Sequence, residues 1–382
     1  MKKIPLPKVL LGSDLANLVV ELETLKNKDL HMTTNVLVFN QLKDLLNRLE
    51  MLGSARIEGN NTTVMEYIEK RQSMENESDD EKISESIQEI LNIENALRYC
   101  EESLRLGKKI NRSFVSDVHK IVVQGLKREG SIDPGNYRKI NIHINKSKVE
   151  LSDFSQISSD MEELFSFIDN GKNISNAMIK DAIAHHQYVL IHPFDNGNGR
   201  TARIFTYACL LRDGFSLVEK VVNPTAVFCS NRNTYYDMLA IADTQTPEGM
   251  ETWCKYVLDG VRDEFLKINK LTQEDFVKEY VIKPCVEFSK ERNIVSSKEY
   301  GILKEFYINS EIGTADLSTV IPDMSKSRYS QIFKDMRNRK LILESGRGLY
   351  VINLNGPLIR GLIKALDIIN FLPVQDESTK NM

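Results

Sequence analysis

The chain has 382 residues, which is more than one ordinary domain needs and predicts two or three domains. Hydrophobic residues make up 41% and charged residues 27%, a composition typical of globular proteins that bury a sizeable core. The formal net charge of −4 argues against nucleic-acid binding over the whole surface, although one local basic patch is compatible with it. The 5 cysteines are scattered and form no CxxC pair, so we expect reduced core thiols and neither disulfides nor a zinc site.

The N-terminal residues have no targeting pattern. Pro5, Pro7 and Asp14 interrupt the few apolar residues there, so no signal peptide is predicted. Elsewhere no apolar run approaches the ~20 residues that a membrane-spanning helix needs. The expected location is therefore the cytoplasm, with no membrane partner.

Helical spacing of apolar residues dominates the chain up to residue 271. The first clear helix is predicted over 36–52, capped by Thr34 or Asn35, and the following GSARIEGNNTT predicts a break. An exposed polar loop is predicted over 73–82. Later amphipathic helices are predicted over 83–106, 111–126, 155–169, 175–190, 199–213, 231–243 and 247–271.

One strand-like stretch interrupts these helices. In YRKINIHINKSKVEL, residues 137–151, the alternation of Ile140, Ile142 and Ile144 has the period of two that is typical of one arm of a β-hairpin. Nothing in the sequence repeats at a fixed period, so a solenoid is not expected.

The C-terminal part, from about residue 293, has a different pattern. Its order of helix, helix, helix and strand–turn–strand is that of a winged helix. The third helix and the residues after it carry a set of basic side chains: Lys326, Arg328, Lys334, Arg337, Arg339 and Lys340. These could face the phosphates of DNA. The alternative is a solvated face on a small domain used for dimerisation or target contact, and the acidic net charge favours that alternative.

The segment IHPFDNGNGRTAR, residues 191–203, combines features of an anion site. Pro193 ends the helix before it, and the glycines allow close approach of the backbone at the start of the next helix. The free amides there, together with the helix dipole, favour an anion. Arg200 and Arg203 share one face of that helix and suit phosphate oxygens, whereas the GxxxxGK[ST] pattern of a Walker A loop is absent.

Three histidines lie near this segment. A neutral His192 beside a phosphate site can accept a proton from an incoming hydroxyl, and its place next to the arginines favours this role over simple packing. His185 and His186 lie within the preceding helix, where packing or support of the site is expected. The three histidines do not have the spacing of a zinc site.

The sequence HPFDNGNGRTAR resembles the Fic motif, HxFx(D/E)GNGRxxR. This resemblance implies a mainly α fold, a helical bundle with a β-hairpin flap, and transfer of AMP from ATP to a protein hydroxyl, called AMPylation. PGNYRKINIHI at 134–144 is similar to the entry into the flap, which implies target docking by β-augmentation at Ile140, Asn141 and Ile142. NRNTYYDML at 231–239 is similar to the segment that lines the adenine pocket through Tyr235 and Tyr236; for either tyrosine the alternative is aromatic packing.

A second motif resembles the same family. SARIEGN at 54–60 is similar to its inhibitory motif, (S/T)xxxE(G/N)N, in the subclass with an N-terminal inhibitory helix. By this resemblance Glu58 would pair with Arg203, the residue that otherwise binds the γ-phosphate of ATP. The alternative is that Glu58 is simply a carboxylate in a polar turn. The resemblance covers about residues 35–270. The predicted division is an N-terminal helical region over 1–105, a Fic core over 106–272, a linker helix over 273–292, and a winged-helix α+β domain with a C-terminal helix over 293–382.

Asn196 departs from the family pattern. It stands where the family has the Asp or Glu that coordinates Mg²⁺, and an amide oxygen offers no charge to a hard cation. The adjacent Asp195 is expected to point elsewhere, so Asn196 would hold Mg²⁺ only weakly. By resemblance the nucleotide-binding residues are Asn196, Gly197, Asn198, Gly199, Arg200, Arg203, Tyr235 and Tyr236, with His192 as the general base.

The leading hypothesis is a protein adenylyltransferase that uses ATP and is inhibited by Glu58. Its target would be a Ser, Thr or Tyr hydroxyl of another protein or of the chain itself, and a homodimer is left open. One alternative is a hydrolase that removes AMP from a modified protein, with Glu58 orienting water. Another is a DNA-binding regulator that uses the winged helix and keeps a weak nucleotide site.

Overall fold

The computed structural model describes residues 6–27, 31–75, 83–105, 107–144, 149–170, 177–215, 226–313, 316–317 and 325–374. The chain divides into one unit of residues 1–28 and 50–265 and a second of residues 29–49 and 266–382. The sequence-based division set residues 1–105 apart from the core, whereas most of them lie in the unit that contains 191–203. The reason is packing, because the helix that ends at Arg105 lies against the helix Asn198–Leu210, which contains the end of that segment, and against the helix Arg112–Val122.

The helices up to residue 271 follow the predicted order. Their bounds are α1 Asp14–Lys26, α2 Val36–Ile57, α3 Val64–Glu75, α4 Glu85–Arg105, α5 Arg112–Val122, α6 Ile157–Asn170, α7 Ala177–Ile191, α8 Asn198–Leu210, α9 Ala226–Ser230, α10 Arg232–Ala242 and α11 Pro247–Leu271.

Helices α7 and α8 form the centre of the first unit. They pack against each other, α6 covers α7, and α4 and α5 cover α8. All described side chains of α8 except Gly199 are buried, including those of Arg200 and Arg203. Two buried arginines require paired acceptors, because an unpaired buried charge is costly.

Three features of this unit differ from the sequence-based expectations. Helix α2 does not break at Gly53 but continues to Ile57, so most of the 54–60 segment lies on its last turn. Helix α3 extends to Glu75, into the predicted loop, and residues 76–82 lie outside the described residues. No strand is present in 137–144 or 149–154, so the described part of the predicted hairpin forms no ladder, and 145–148 lie outside the described residues. Side-chain bonds hold these two stretches together instead.

The second unit combines helices with a small sheet. Its elements from residue 274 are α12 Glu274–Val277, α13 Lys283–Glu291, α14 Ser297–Leu303, β1 Ile312–Gly313, α15 Lys326–Asn338, β2 Ile342–Gly346, β3 Leu349–Ile352 and α16 Ile359–Ile368. The strands are antiparallel in the order β1-β3-β2, with Ile342 opposite Ile352. Because α13 packs against α16, the predicted linker helix is part of this unit.

The winged-helix interpretation of this unit stays a prediction. Helix α15 precedes a strand–turn–strand as the sequence indicates, and Phe333 of α15 stacks on Tyr350 of β3 at 4.5 Å between ring centroids. Most of the second predicted helix, 314–321, lies outside the described residues. Two of the basic side chains are paired within the unit, Arg337 with Glu344 and Arg339 with Glu299. Such pairing is what a solvated charged face would show.

The five cysteines are all buried and free, as expected of core thiols. Among the described residues, no helix combines the length and the apolar character that crossing a membrane requires.

Candidate active site

Residues 192–197, here called the motif loop, connect α7 to α8. The Asn198 side chain fixes its shape, because Asn198 Oδ1 accepts from Phe194 N at 2.9 Å and Nδ2 donates to Phe194 O at 2.8 Å. Gly197, at the N-cap of α8, has a φ of 72°, a left-handed conformation that glycine adopts without strain. Asn198 was predicted to hold phosphate through its side chain, but both polar atoms of that side chain serve the loop.

The N-terminus of α8 provides an anion site. The first backbone bond of the helix runs from Thr201 N to Gly197 O at 3.0 Å, which leaves the amides of residues 198–200 outside the helical ladder. A Cβ added to Gly199 would lie 2.2 Å from Oε1 of Glu58. The Glu58 carboxylate therefore lies directly beside the first turn of α8, where the helix dipole favours a negative charge.

Arg203 holds the same carboxylate. Its Nη2 donates to Glu58 Oε1 at 2.9 Å, while Nε donates to Ser54 Oγ and Nη2 to Ser54 O, both at 2.8 Å. Burial alone would raise the pKa of Glu58, but Arg203 and Arg200 outweigh it and keep that pKa below its usual value. The contact that the sequence resemblance implied between these two residues is present, and the carboxylate is ionised at neutral pH.

Arg200 is bound to a carboxylate that the sequence did not single out. Its Nη1 lies 2.9 Å from Oε1 of Glu89 on α4, and its Nη2 donates to the carbonyl oxygen of Glu129 at 2.8 Å. Glu89 also accepts from Asn60 Nδ2 at 2.8 Å. Burial raises the pKa of Glu89, and the charge of Arg200 opposes that rise. Arg200 is thus part of a buried cluster that also anchors the 54–60 segment.

His192 is held with one ring nitrogen free. Its Nδ1 lies 3.1 Å from Val189 O, and because a carbonyl can only accept, Nδ1 carries the proton and Nε2 the lone pair. Burial lowers the pKa of His192 to about 4, helped by Arg138 and opposed by the Val189 bond and Glu58. The imidazole is therefore neutral at physiological pH and presents a basic Nε2.

Two residues that the sequence did not assign to the site position the motif loop. His119 accepts from Gly135 N at Nδ1 (2.9 Å) and donates from Nε2 to Asn196 O (3.0 Å). Its ring stacks on the buried Phe194 at 3.7 Å between centroids. Arg138 donates from Nε to His192 O at 2.9 Å. A single buried polar side chain does not alter the local pattern of apolar residues. The sequence therefore gives no sign of these contacts, and only the folded structure shows them.

Of the other predicted residues, two histidines and Tyr235 are buried, whereas Tyr236 is exposed. His185 is fully buried and bonds Thr206 Oγ1 at 2.7 Å and the Tyr235 hydroxyl at 2.9 Å, and His186 bonds Asp243 at 2.9 Å, which fits packing and support. Tyr235 is 2% exposed and its ring packs against that of Phe228, which is the arrangement that the aromatic-packing alternative predicts. Tyr236 is 43% exposed and can still contact a ligand.

The flap segment, here residues 137–144 and 149–154, presents part of the predicted docking surface. Ile140 is 65% exposed, and Ile142 is also exposed. The Asn141 side chain is engaged inside the flap, because it donates to Asp153 Oδ2 at 2.7 Å and accepts from Phe154 N at 2.9 Å. A target backbone would therefore meet the two isoleucines and the main chain more than the Asn141 amide.

The motif loop does not fit a Mg²⁺ site. Asn196 Oδ1 accepts from Gly197 N at 2.7 Å and Nδ2 donates to Gly130 O at 3.0 Å. Asp195 accepts from Ser131 Oγ at 2.5 Å and from Ile132 N at 2.8 Å, so it points away from the arginines, as predicted. Among the described residues, no group of three His, Cys, Asp or Glu could hold a metal. The chemistry of this site is therefore derived from the protein's own side chains and amides.

Comparison with known proteins agrees with this geometry. Residues 109–210 match the family model described as Fic/DOC family. That match contains α7, the motif loop and α8, and it identifies this part of the chain as a Fic domain.

Relatives and solved structures point the same way. The chain is 28% identical to "Protein adenylyltransferase fic-1" of Caenorhabditis elegans over 161 residues, 41% of this chain and 29% of the relative. It is 26% identical to "Protein adenylyltransferase Fic" of Aedes aegypti over 202 residues, 50% of this chain and 36% of the relative. The matched part of the chain thus spans only 29% and 36% of the length of these two relatives.

The structural likeness concerns the fold. A Fic family protein from Desulfovibrio desulfuricans G20 superposes with a TM-score of 0.50 at 18% identity, covering 91% of this chain and 98% of that one. Fic-1 from C. elegans gives 0.52 at 20% identity, covering 66% of this chain and 71% of that one. The chain therefore has the mainly helical Fic fold.

Proposed function

We propose that this protein is an adenylyltransferase that moves AMP from ATP to a hydroxyl of a protein and is held inhibited by Glu58. One observation carries the proposal: an internal carboxylate occupies the anion site formed by Arg203 and the N-terminus of α8, close enough to His192 to act on the pKa of its ring. A site built to bind an anion next to a neutral base suits attack of a hydroxyl on a phosphate. The names of the relatives supply the reaction class.

In the proposed reaction the target hydroxyl oxygen attacks the α-phosphorus of ATP. The new bond joins that oxygen to the phosphorus, the bond to the α,β-bridging oxygen breaks, and pyrophosphate leaves. His192 Nε2 accepts the hydroxyl proton. The amides of residues 198–200 and Arg203 stabilise the phosphate charge, because preorganised donors act strongly where water is excluded.

Glu58 inhibits by occupying the place of a phosphate group. Its Oε1 takes the Arg203 donor and the space beside Gly199, so a nucleotide cannot use both while Glu58 is there. The proposal includes a Ser, Thr or Tyr target, the chain itself among the candidates, and a cytoplasmic location.

The test is transfer of labelled AMP by wild type, Glu58→Gly and Glu58→Gln. We expect Glu58→Gly to label protein roughly 10- to 100-fold faster than wild type, the range of typical coupling free energies. Glu58→Gln keeps the shape but loses the charge and should fall between them.

His192→Ala in the Glu58→Gly background is the control. It should reduce labelling by a factor of about 100 to 10,000, the range for loss of a general base. If Glu58→Gly labels no faster than wild type and His192→Ala changes nothing, the transferase proposal fails. Mass spectrometry of the labelled protein would identify the added group from its mass and would locate the modified side chain.

A second candidate is hydrolysis of an AMP-modified protein. Only Oε1 of Glu58 bonds Arg203, and its side chain is 27% exposed, which leaves Oε2 to orient a water. In that reaction His192 must give a proton to the leaving hydroxyl, and a pKa of about 4 suits a base better than an acid. The transferase is therefore preferred. Wild type that removes AMP from a modified target, with loss of this activity in Glu58→Gly, would reverse the preference.

A further inference from the structure

Arg138 is a buried arginine at the start of the flap segment whose bonds go to carbonyl oxygens. Its side chain donates to His192 O at 2.9 Å, Ile140 O at 2.7 Å, Ser152 O at 2.5 Å and Ile191 O at 3.4 Å. The residue is 5% exposed. Within the described residues no ion pair joins it to a carboxylate. Asp153 adds an electrostatic attraction, but the hydrogen bonds of the guanidinium go to carbonyl oxygens, so its position needs a reason beyond charge pairing.

The first group of bonds surrounds His192. The side chain holds the carbonyls of Ile191 and His192, and the Arg138 backbone N–H donates to Pro193 O at 2.9 Å. Three consecutive carbonyls are therefore bound by one residue. This matters because His192 has a φ of 49°, a left-handed conformation that costs a non-glycine residue about 1–2 kcal/mol and persists only where neighbours impose it.

The second group of bonds holds the flap segment. Nη1 donates to Ile140 O and Nη2 to Ser152 O, which lie at the two ends of the flap. Because the described parts of the flap form no strand ladder, these bonds replace part of the pairing that a hairpin would supply. The planar fork of a guanidinium can reach acceptors on both sides at once, which the single ammonium of lysine cannot.

We propose that Arg138 is a positioning residue that fixes His192 Nε2 relative to the flap, so that a target segment bound at Ile140 is presented to the base in one register. The inference rests on the proposed transfer reaction, which it deepens. Among the described residues, the hydrogen bonds of Arg138 go to the flap segment and to the carbonyls around His192, and none goes to Arg200 or Arg203, so it acts on the orientation of the base and not on the nucleotide.

Electrostatics supports the same role. The charged groups that act on His192 are Arg138, which lowers its pKa, and Glu58, which raises it. In a protein that lacks Glu58, Arg138 is the remaining charge that favours the neutral imidazole. Loss of the guanidinium should therefore both loosen the His192 backbone and raise the pKa of its ring.

The experiment compares Arg138→Met and Arg138→Lys in the Glu58→Gly protein. Arg98→Met is the matched control, because Arg98 is an exposed arginine on α4 whose ion pair is with the neighbouring Glu94. Three quantities are measured: the maximal rate of AMP transfer, the Kd of a fluorescent ATP analogue, and the pKa of His192 from its NMR signal, assigned as the one lost in His192→Ala.

We expect Arg138→Met to lower the maximal transfer rate about 100-fold, as misplacement of a reacting group by about 1 Å does. The Kd of the ATP analogue should stay within about twofold of the parent, since the phosphate contacts are untouched. The pKa of His192 should rise. Arg138→Lys, which keeps the charge but not the fork, should have an intermediate rate and a smaller rise in pKa.

Two results would overturn the inference. One is a transfer rate in Arg138→Met equal to that of Arg98→Met. The other is a loss of nucleotide binding in proportion to the loss of rate, which would mean a general structural role. If Arg138→Met fails to fold, Arg138→Lys decides, and a full rate there also overturns the inference.

Failure of the proposed reaction is distinguishable from failure of this inference. If the Glu58→Gly parent transfers no AMP, the reaction is wrong, but the NMR titration still applies. A shift of the His192 backbone amide signal in both Arg138→Met and the charge-preserving Arg138→Lys, absent in Arg98→Met, would then uphold the positioning role, and unchanged signals would refute it.

Discussion

The motif loop and the helix that follows it are held by different chemistry. In the loop, Arg138 and His119 bond the carbonyl oxygens of His192 and Asn196. In α8, Arg200 and Arg203 bond the carboxylates of Glu89 and Glu58. Carbonyl contacts are the same whatever anion is present, whereas a carboxylate on an arginine can be exchanged for a phosphate. The contacts of the loop therefore set the geometry of the site, and those of α8 set what occupies it.

The two carboxylates also differ from each other. The Glu89 side chain is 4% exposed and shared with Asn60, whereas that of Glu58 is 27% exposed and follows the last turn of α2. Glu89 is thus the enclosed partner of Arg200, and under the proposed function Glu58 is the one that a nucleotide replaces. Three substitutions test these differences.

Glu89→Gln should destabilise the protein most. It removes the nearest carboxylate from the buried Arg200 guanidinium and leaves Glu129 Oε2, at 3.8 Å, as the next one; breaking one side of a buried pair costs roughly 3 kcal/mol or more. Urea unfolding measures this, with Glu102→Gln on the exposed face of α4 as the control. A loss no greater than in the control would show that Arg200 does not depend on Glu89 and would break the comparison.

Gly199→Ala should report where the Glu58 carboxylate lies. The added Cβ would come within 2.2 Å of Glu58 Oε1, so we expect a loss of about 2 kcal/mol in wild type. The same change in Glu58→Gly should cost clearly less, giving a coupling of about 1 kcal/mol in a double-mutant cycle. Gly346→Ala is the control, since nothing lies within 4 Å of a Cβ there. Equal losses in both backgrounds would place the carboxylate elsewhere.

His119→Gln should flatten the acid side of the stability curve. Burial lowers the pKa of His119 to about 4. The unfolded chain therefore binds more protons as the pH falls below the unfolded pKa, and the free energy of unfolding decreases. Between about pH 6.5 and 5.5 this amounts to about 1 kcal/mol for one histidine. Glutamine can donate and accept at the same place without titrating, so the variant should lose less over that interval, and an identical slope would contradict the assignment.

The sequence predicted those parts of the fold that follow local periodicity. The helix over 247–271 has the predicted bounds, and α4 to α8 lie close to theirs. The Glu58–Arg203 contact follows from a motif resemblance. The Glu89–Arg200 pair and the bonds of Arg138 could not be predicted, because they join residues far apart in the chain that carry no pattern of their own. The hairpin expectation was wrong for the described residues, since alternation of isoleucines does not by itself supply a pairing partner.

Under the proposed function, the Glu58–Arg203 contact also makes the apparent affinity for ATP depend on where Glu58 lies. Glu58 belongs to the same chain as the site it fills, so it acts as a tethered competitor whose effective concentration does not change with the amount of protein. The apparent Kd for ATP then equals the intrinsic Kd divided by the fraction of molecules in which Glu58 has moved away. Any binding partner that changes that fraction would change ATP affinity without contacting the nucleotide.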